Sequence, residues 1–214
     1  TQDTPTFSEN VCVVLVRPEH DGNIGAVARS MLNFGIYDLR VVGRSGDWSE
    51  EARRRAKNAQ QVLDSAKIVD TIEESVSDCS LVVGTSGKRE EGEKTVRRHF
   101  LLPDELPKRL SRHEGRVAIV FGPEGKGLLN EQLSMCDLLV TIPTWEGYPI
   151  LNLSHAVSII CFSWFVNSET AQTSGTGGRL LNPKLRDKLR SEAKRLVESM
   201  PTKEHKRKGI EETL

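Results

Sequence analysis

The chain has 214 residues, 37% of them hydrophobic and 28% charged, and its 30 basic side chains balance 30 acidic ones. Such a chain is globular, with room for one sizeable α/β domain and an appendage; no apolar run approaches the roughly 20 residues that span a bilayer. Aromatic residues, at 5%, are too sparse for base stacking to be the main device of a single-strand RNA binder.

The polar first ten residues lack the apolar core of a signal peptide. Cys12, Cys79, Cys136 and Cys161 are scattered, with no Cys-x-x-Cys pair. That pattern reads as four reduced, mostly buried thiols in a cytoplasmic protein. The β-branched run Val11–Val16, closed by Arg17 and Pro18, predicts a buried strand. Ile24, Val27, Ala28, Met31 and Leu32 then recur at helical spacing over residues 23–34, with Asn23 as the expected N-cap and Gly35 as the stop. A second strand over 39–42 completes the strand–helix–strand opening of a parallel sheet.

Residues 49–63 are polar and read as one helix carrying Arg53, Arg54, Arg55 and Lys57. A helix over 72–78 and a strand over 81–83 lead into a loop, Gly84 to Gly87. Residues 88–102, charged and aperiodic, read as a long mobile loop, followed by a short helix at 106–110. Val117–Phe121 is the strongest strand signal, and 138–142 is the next. Residues 152–165 predict a helix apolar nearly all round, hence buried on more than one side.

Residues 167–182 have the Ser, Thr and Gly content of a linker. Beyond them, 183–200 predicts a basic amphipathic helix, and 204–214 reads as the start of another helix that stops abruptly. Between residues 179 and 208, 11 Lys and Arg stand against 4 Asp and Glu, a surplus of +7 that leaves −7 for the rest. A polyanion suits such a tail, since neutralised phosphates release counterions; a solvated helix face has the same composition.

Three expected loops follow strands: Gly84 to Gly87, Gly122 to Gly127, and Pro143 to Leu151. Ligands of open parallel sheets sit at the carboxyl ends of the strands, and glycine lets backbone approach them, so three such loops can line one pocket. Residues 122–127 lack the Gly-Lys-Ser/Thr ending of a phosphate loop, and no Gly-x-Gly-x-x-Gly follows the first strand. Both absences argue against an ATPase or a dinucleotide enzyme.

Asn23-Ile-Gly-Ala-Val-Ala-Arg29, Phe121-Gly-Pro-Glu-Gly-Lys-Gly127 and Leu151-Asn-Leu-Ser-His-Ala156 resemble, in that order, the three motifs of the SPOUT superfamily. Within it they are most similar to the TrmH-like RNA ribose 2′-O-methyltransferases, nearest the TrmJ group. The resemblance covers residues 11–165. It implies an α/β fold, a parallel sheet flanked by helices with a deep trefoil knot over about 117–165, in a domain of residues 1–166. Residues 167–182 are then a flexible linker and 183–214 a basic helical extension, incomplete at its end and similar to that of archaeal TrmJ proteins.

The resemblance also implies S-adenosylmethionine as cofactor, held by Thr85, Ser86, Gly87, Gly122, Pro123, Glu124, Gly125, Ile142, Leu151, Asn152 and Ser154. No metal is needed. The expected substrate is tRNA, methylated on the ribose of the first anticodon-loop nucleotide, a cytidine or uridine. The family is dimeric, which makes helices 23–34 and 152–165 the interface candidates of a homodimer whose active site lies near that interface.

Arg29, Asn23 and Glu124 are the implied catalytic group. A guanidinium is an unpromising base, so Arg29 reads as a clamp on substrate phosphate that also stabilises the developing alkoxide. Glu124 is expected to hydrogen-bond Arg29 or the substrate, and Asn23 to orient Arg29 or the ribose, with helix capping as its alternative. Asn152 and Ser154 can equally cap their helix, and His155 reads as a packed helix residue. Ile150 stands where many family members carry serine. Arg53, Arg54, Lys88, Arg89, Arg97, Arg98, Lys206 and Arg207 are candidate phosphate contacts, or simply solvated charges. Ribosomal RNA as substrate, a catalytically silent knotted RNA-binding module, and a nucleotide-binding regulator of unrelated fold remain the alternatives.

Overall fold

Strand β1 (Val11–Val16) is buried along its whole length, and its side chains divide between two cores. Val11, Val13 and Leu15 join the larger apolar cluster, while Cys12, Val14 and Val16 join a smaller one. A strand covered on both faces must be apolar at every position, which is why the run lacks polar alternation. The computed structural model describes residues 6–87, 100–110, 113, 115–167, 188, 191, 192, 195, 196, 198 and 199. The chain divides into two units, Thr1–Thr173 and Ser174–Leu214. The few described residues of the second are helical and exposed.

In the first unit, β1 is followed by α1 (Asp21–Asn33), β2 (Asp38–Val42), α2 (Glu50–Ala56), α3 (Gln60–Asp64), β3 (Lys67–Val69), α4 (Ile72–Ser75) and β4 (Leu81–Thr85). Then come β5 (Phe100–Leu101), α5 (Glu105–Arg109), β6 (Val117–Phe121), α6 (Asn130–Ser134), β7 (Leu138–Val140) and α7 (Leu153–Val166). The strands form one seven-stranded sheet in the order β3-β2-β1-β6-β4-β7-β5, every neighbouring pair parallel. The larger cluster takes residues of α1, α2, α3 and α7; Ile72 of α4 and Leu133 of α6 belong to the smaller. Helices therefore flank a parallel sheet, as expected.

Several elements differ from the sequence expectation. α1 begins at Asp21 with His20 as its N-cap and no side-chain cap, so Asn23 lies inside the first turn and does not cap it. Gly35 does end the helix: at φ 70 it passes its N–H to the Leu32 carbonyl while Ile36 N–H reaches that of Met31, a Schellman closure. The single helix expected over 49–63 is two, because Lys57 adopts φ 53 and breaks it. β3 and β5 are edge strands of three and two residues, too short to show a period, and α6 was equally unforeseen. β5 also makes the end of the expected loop a strand. Gly84 and Thr85 belong to β4 and not to a loop; a Cβ on Gly84 would stand 2.7 Å from Cys136 Sγ. α7 buries Leu153, Val157, Ile160, Cys161 and Trp164, while Phe162 and Val166 of the same apolar helix are 54% and 45% exposed. No described helix is long and apolar enough to cross a membrane.

At the amino ends of the strands a buried arginine ties four segments together. Arg40, 2% exposed, donates to Asp38 at 3.1 and 2.6 Å, to both carboxylate oxygens of Asp78 and to the Ser75 carbonyl at 2.6 Å. Arg116 adds bonds to Asp78 at 2.7 Å and Asp38 at 3.3 Å. A buried guanidinium is tolerable only when so fully partnered. The Arg40 hydrogen bonds hold the Asp78 carboxyl well below the usual carboxylate range. A carboxylate whose pKa falls on folding stabilises the protein above its unfolded value and loses that contribution as pH drops through the folded one. Urea denaturation is therefore expected to show stability declining below about pH 4, and Asp78→Asn should flatten that decline. Arg40→Ala should cost about 3 kcal/mol or more at neutral pH by the same measurement.

Candidate active site

β6, β4 and β7 are adjacent in the sheet, so the chain leaving their carboxyl ends converges on one side. A cavity of about 510 Å³ opens there. Thr85, Ser86 and Gly87 line it from the end of β4, residues 122–130 from the end of β6, and Ile142, Pro149, Ile150 and Leu151 from the segment after β7. Phe121 and Val140 come from the strands themselves, and Leu153 and Ala156 from the first turn of α7. The expected convergence of three segments is present, with the first shortened by the extension of β4.

The 122–127 loop owes its shape to absent side chains. A Cβ on Gly122 would fall 2.2 Å from both the Gly127 carbonyl carbon and the Leu128 nitrogen, so the loop folds back on itself only with glycine there. Gly125 and Gly127 adopt φ 77 and 68, a region other residues avoid. The Gly127 N–H closes the loop on the Pro123 carbonyl at 2.9 Å. The Thr85 hydroxyl donates to the Val120 carbonyl at 3.0 Å, pinning β4 to the end of β6 beside the cavity.

From Glu124 in the cavity wall runs a hydrogen-bonded chain of polar side chains. One Glu124 oxygen accepts from Asn23 Nδ2 at 2.7 Å and the other from the Glu19 N–H at 2.8 Å. Asn152 Nδ2 donates to Asn23 Oδ1 at 3.1 Å. Asn152 Oδ1 in turn accepts from the Ser154 N–H at 2.9 Å and the Ser154 hydroxyl at 2.7 Å, capping α7. Burial pushes the Glu124 carboxyl up, but the Asn23 amide and the backbone N–H groups around it outweigh burial and hold it below the usual carboxylate range. Glu124 is thus ionised at neutral pH.

Thr85, Ser86, Gly87, Gly122, Pro123, Glu124, Gly125, Ile142 and Leu151 all line the cavity. Asn152 and Ser154 do not; they fix the start of α7. Asn23 is 93% buried against Glu124 and Asn152, so it orients the wall and not Arg29. Glu124 is hydrogen-bonded to Asn23 and Glu19 instead of Arg29. Arg29 is exposed on α1 outside the cavity lining, six residues and roughly 9 Å of helix axis beyond Asn23. His155 is exposed, contrary to the packed position expected.

Arg53 is committed to Asp64 at 2.9 Å and Gln60 at 3.1 Å, which leaves it less free for phosphate, while Arg54 is exposed. Lys88, Arg89, Arg97, Arg98, Lys206 and Arg207 lie outside the described residues. Sequence reasoning missed Phe100, Lys126, Leu129 and Leu133 on the cavity wall. Lys126 sits within the second motif, residues 121–127, whereas Phe100 lies in an aperiodic stretch that carries no signal. Among the described residues no group of three or more His, Cys, Asp or Glu is placed to hold a metal.

The profile of the SpoU rRNA Methylase family matches residues 10–162. The tRNA (cytidine-2′-O-)-methyltransferase TrmJ of Methanocaldococcus jannaschii is 44% identical over 152 residues, covering 71% of this chain and 66% of the relative. The crystal structure of TrmJ from Z. mobilis is 35% identical, with a TM-score of 0.66 over 72% of this chain and 67% of that one. A likeness of fold extends to the SpoU methyltransferase AviRb from Streptomyces viridochromogenes in complex with the cofactor AdoMet, 22% identical, with a TM-score of 0.57 over 80% of this chain and 61% of that one. The chain spans only 60–66% of the length of the first curated relatives it matches.

Removing Asn23 takes a donor from Glu124 and an acceptor from Asn152 at once. Asn23→Ala is expected to destabilise the fold by about 1–3 kcal/mol in urea denaturation. Asn23→Asp should cost more, since it sets a second carboxylate against Glu124; equal midpoints for Asn23→Ala and the parent chain would contradict the assignment.

Proposed function

Because the chain belongs to the SpoU rRNA Methylase family, we propose that it transfers a methyl group from S-adenosylmethionine to a ribose 2′-hydroxyl of tRNA. The observation that carries the reading is the convergence of the three motif segments on one cavity at the carboxyl ends of β4, β6 and β7. tRNA is favoured over ribosomal RNA by the activity named for the Methanocaldococcus relative. The finer target, the first anticodon-loop nucleotide, belongs to the same reading. So do a cytoplasmic setting, a knot over residues 117–165, and a division into residues 1–166, a linker over 167–182 and a basic extension over 183–214.

The cavity fits the cofactor. Its volume of about 510 Å³ suits a ligand of that size, and at Gly122 no side chain can intrude. Thr85, Ser86, Gly87, residues 122–125, Ile142 and Leu151 would hold it, with Asn152 and Ser154 supporting the wall from behind. When bound, S-adenosylmethionine supplies a methyl group activated on a sulfonium. Glu124, ionised on the cavity wall, keeps lone pairs that can accept a hydrogen bond from an incoming ribose hydroxyl and so align it. Ile150 offers apolar contact where a hydroxyl is common in the family.

Arg29 completes the arrangement from outside. It stands on the exposed side of α1, whose Ser30 meets Ser158 of α7 at 2.6 Å and whose end packs Phe34 against Phe162 at 5.9 Å between ring centroids. Phe162 and Val166 leave an apolar stripe on α7 suited to a second copy. In such a homodimer each Arg29 serves the cavity of the other protomer, clamping phosphate and stabilising the developing alkoxide.

The reading is tested by labelled-methyl transfer to bulk tRNA and to tRNA carrying a deoxyribose at the first anticodon-loop nucleotide. Transfer should vanish with the deoxy substrate; undiminished transfer would overturn ribose chemistry at that nucleotide, and transfer to ribosomal RNA alone would move the substrate. Arg29→Ala should abolish transfer while cofactor affinity by calorimetry stays nearly unchanged. Mixing inactive Arg29→Ala and Gly122→Ala chains should restore on the order of a quarter of the activity, as one site per mixed dimer becomes whole. No recovery would mean that Arg29 serves its own protomer.

A further inference from the structure

The chain is poor in aromatic residues, yet two of them stand almost free in a single turn. Trp145 is 78% and Tyr148 80% exposed. The turn is closed by the Tyr148 N–H on the Trp145 carbonyl at 3.0 Å and braced by the Thr144 hydroxyl on the Pro149 carbonyl at 2.9 Å. Gly147 seats the indole: a Cβ there would come within 2.4 Å of the ring. One face of Trp145 therefore rests on backbone and the other is open. The remaining tryptophans differ, since Trp48 donates its indole N–H to the Leu63 carbonyl at 2.8 Å and Trp164 is only 8% exposed.

The turn leads directly into Pro149 and Ile150, which line the cavity. An RNA hydroxyl that reaches this cavity brings its own base and its neighbours to the rim. Every base has a stackable face, and exposed, backbone-supported aromatic rings are the device that holds unpaired bases. A protein partner is the weaker fit for this turn, because the exposed apolar pair Phe162 and Val166 lies on α7 and not beside it.

We infer that Trp145 and Tyr148 form a stacking platform at the cavity rim, which takes an unpaired base of the RNA strand presented for methylation and thereby positions its ribose. The inference rests on the proposed methyltransferase reading for its location. Its occupant follows from the turn itself: rigid, glycine-backed and open on one ring face. Trp145 and Tyr148 are positioning residues, expected to govern binding of the RNA and not the chemical step.

The test uses the full chain titrated with unmodified tRNA while tryptophan fluorescence is followed. Quenching is expected, and it should be largely lost in Trp145→Phe, which removes the reporter and keeps a ring. In methyl transfer, Trp145→Ala combined with Tyr148→Ala should raise KM for tRNA on the order of tenfold or more. KM for S-adenosylmethionine and kcat should be little changed, and Phe at both positions should restore most of the loss. Gly147→Ala, which unseats the indole, should raise KM for tRNA as well. An unchanged KM for tRNA in the double alanine variant would overturn the platform. So would quenching that follows protein concentration and ignores tRNA, the mark of self-association. If the parent chain transfers methyl to no RNA, the functional reading alone fails; quenching by tRNA still decides the platform.

Discussion

The hydrogen-bonded chain from Glu124 through Asn23 to Asn152 joins segments separated by 101 and 129 residues, and most of what the site can do depends on it. Glu124 belongs to the glycine loop after β6, Asn23 to the first turn of α1, and Asn152 to the cap of α7. Asn23, the buried member, has its amide N–H and its carbonyl oxygen satisfied by Glu124 and Asn152, and burying such a group without a partner is costly. The loop after β6 is thereby locked to the two helices that pack together on one face of the sheet. The same contacts keep Glu124 ionised, so structure and electrostatics at the cavity wall have one cause.

The two ends of the sheet solve opposite problems. At the amino ends of the strands, Arg40 is buried among carboxylates that neutralise it completely, a closed arrangement with little left to offer a ligand. At the carboxyl ends the backbone is carried by glycines, and the polar groups are arranged around space. Cys12 and Cys79, whose sulfurs lie 3.6 Å apart, belong to the closed end. Sixty-seven residues separate them in sequence, and the scattered-thiol pattern held no hint of that proximity. The hydrogen bond between them lowers the Cys79 thiol and, together with burial, raises that of Cys12.

The three segments leaving β4, β6 and β7 account for the cavity, and a set of exposed features stands outside it. Arg29 on α1, the apolar stripe of α7 and the aromatic turn at residues 145–148 all lie outside the cavity lining. The hydrogen-bonded wall is thus distinct from these exposed side chains. On the proposed function, a fixed wall would suit a methyl donor, and exposed side chains reaching into solvent would suit an RNA.

Long apolar elements were legible in the sequence: β1, β6 and the body of α1 and α7 follow from runs and periods that only a buried strand or helix requires. The three motif segments and their convergence at the strand ends were legible too, because glycine where a loop must fold on itself, as at Gly122, leaves a mark. Short edge strands such as β3 and β5 were not, since two or three residues carry no period. Nor was the partner of a polar side chain. Asn23 has the composition of a cap and Glu124 that of a partner for Arg29, and which bond each makes is decided by contacts across more than a hundred residues. The sequence by itself determined which residues could be buried and which loops could turn; only the tertiary structure decided which polar groups meet, because hydrogen bonds depend on distances between elements that local pattern does not encode.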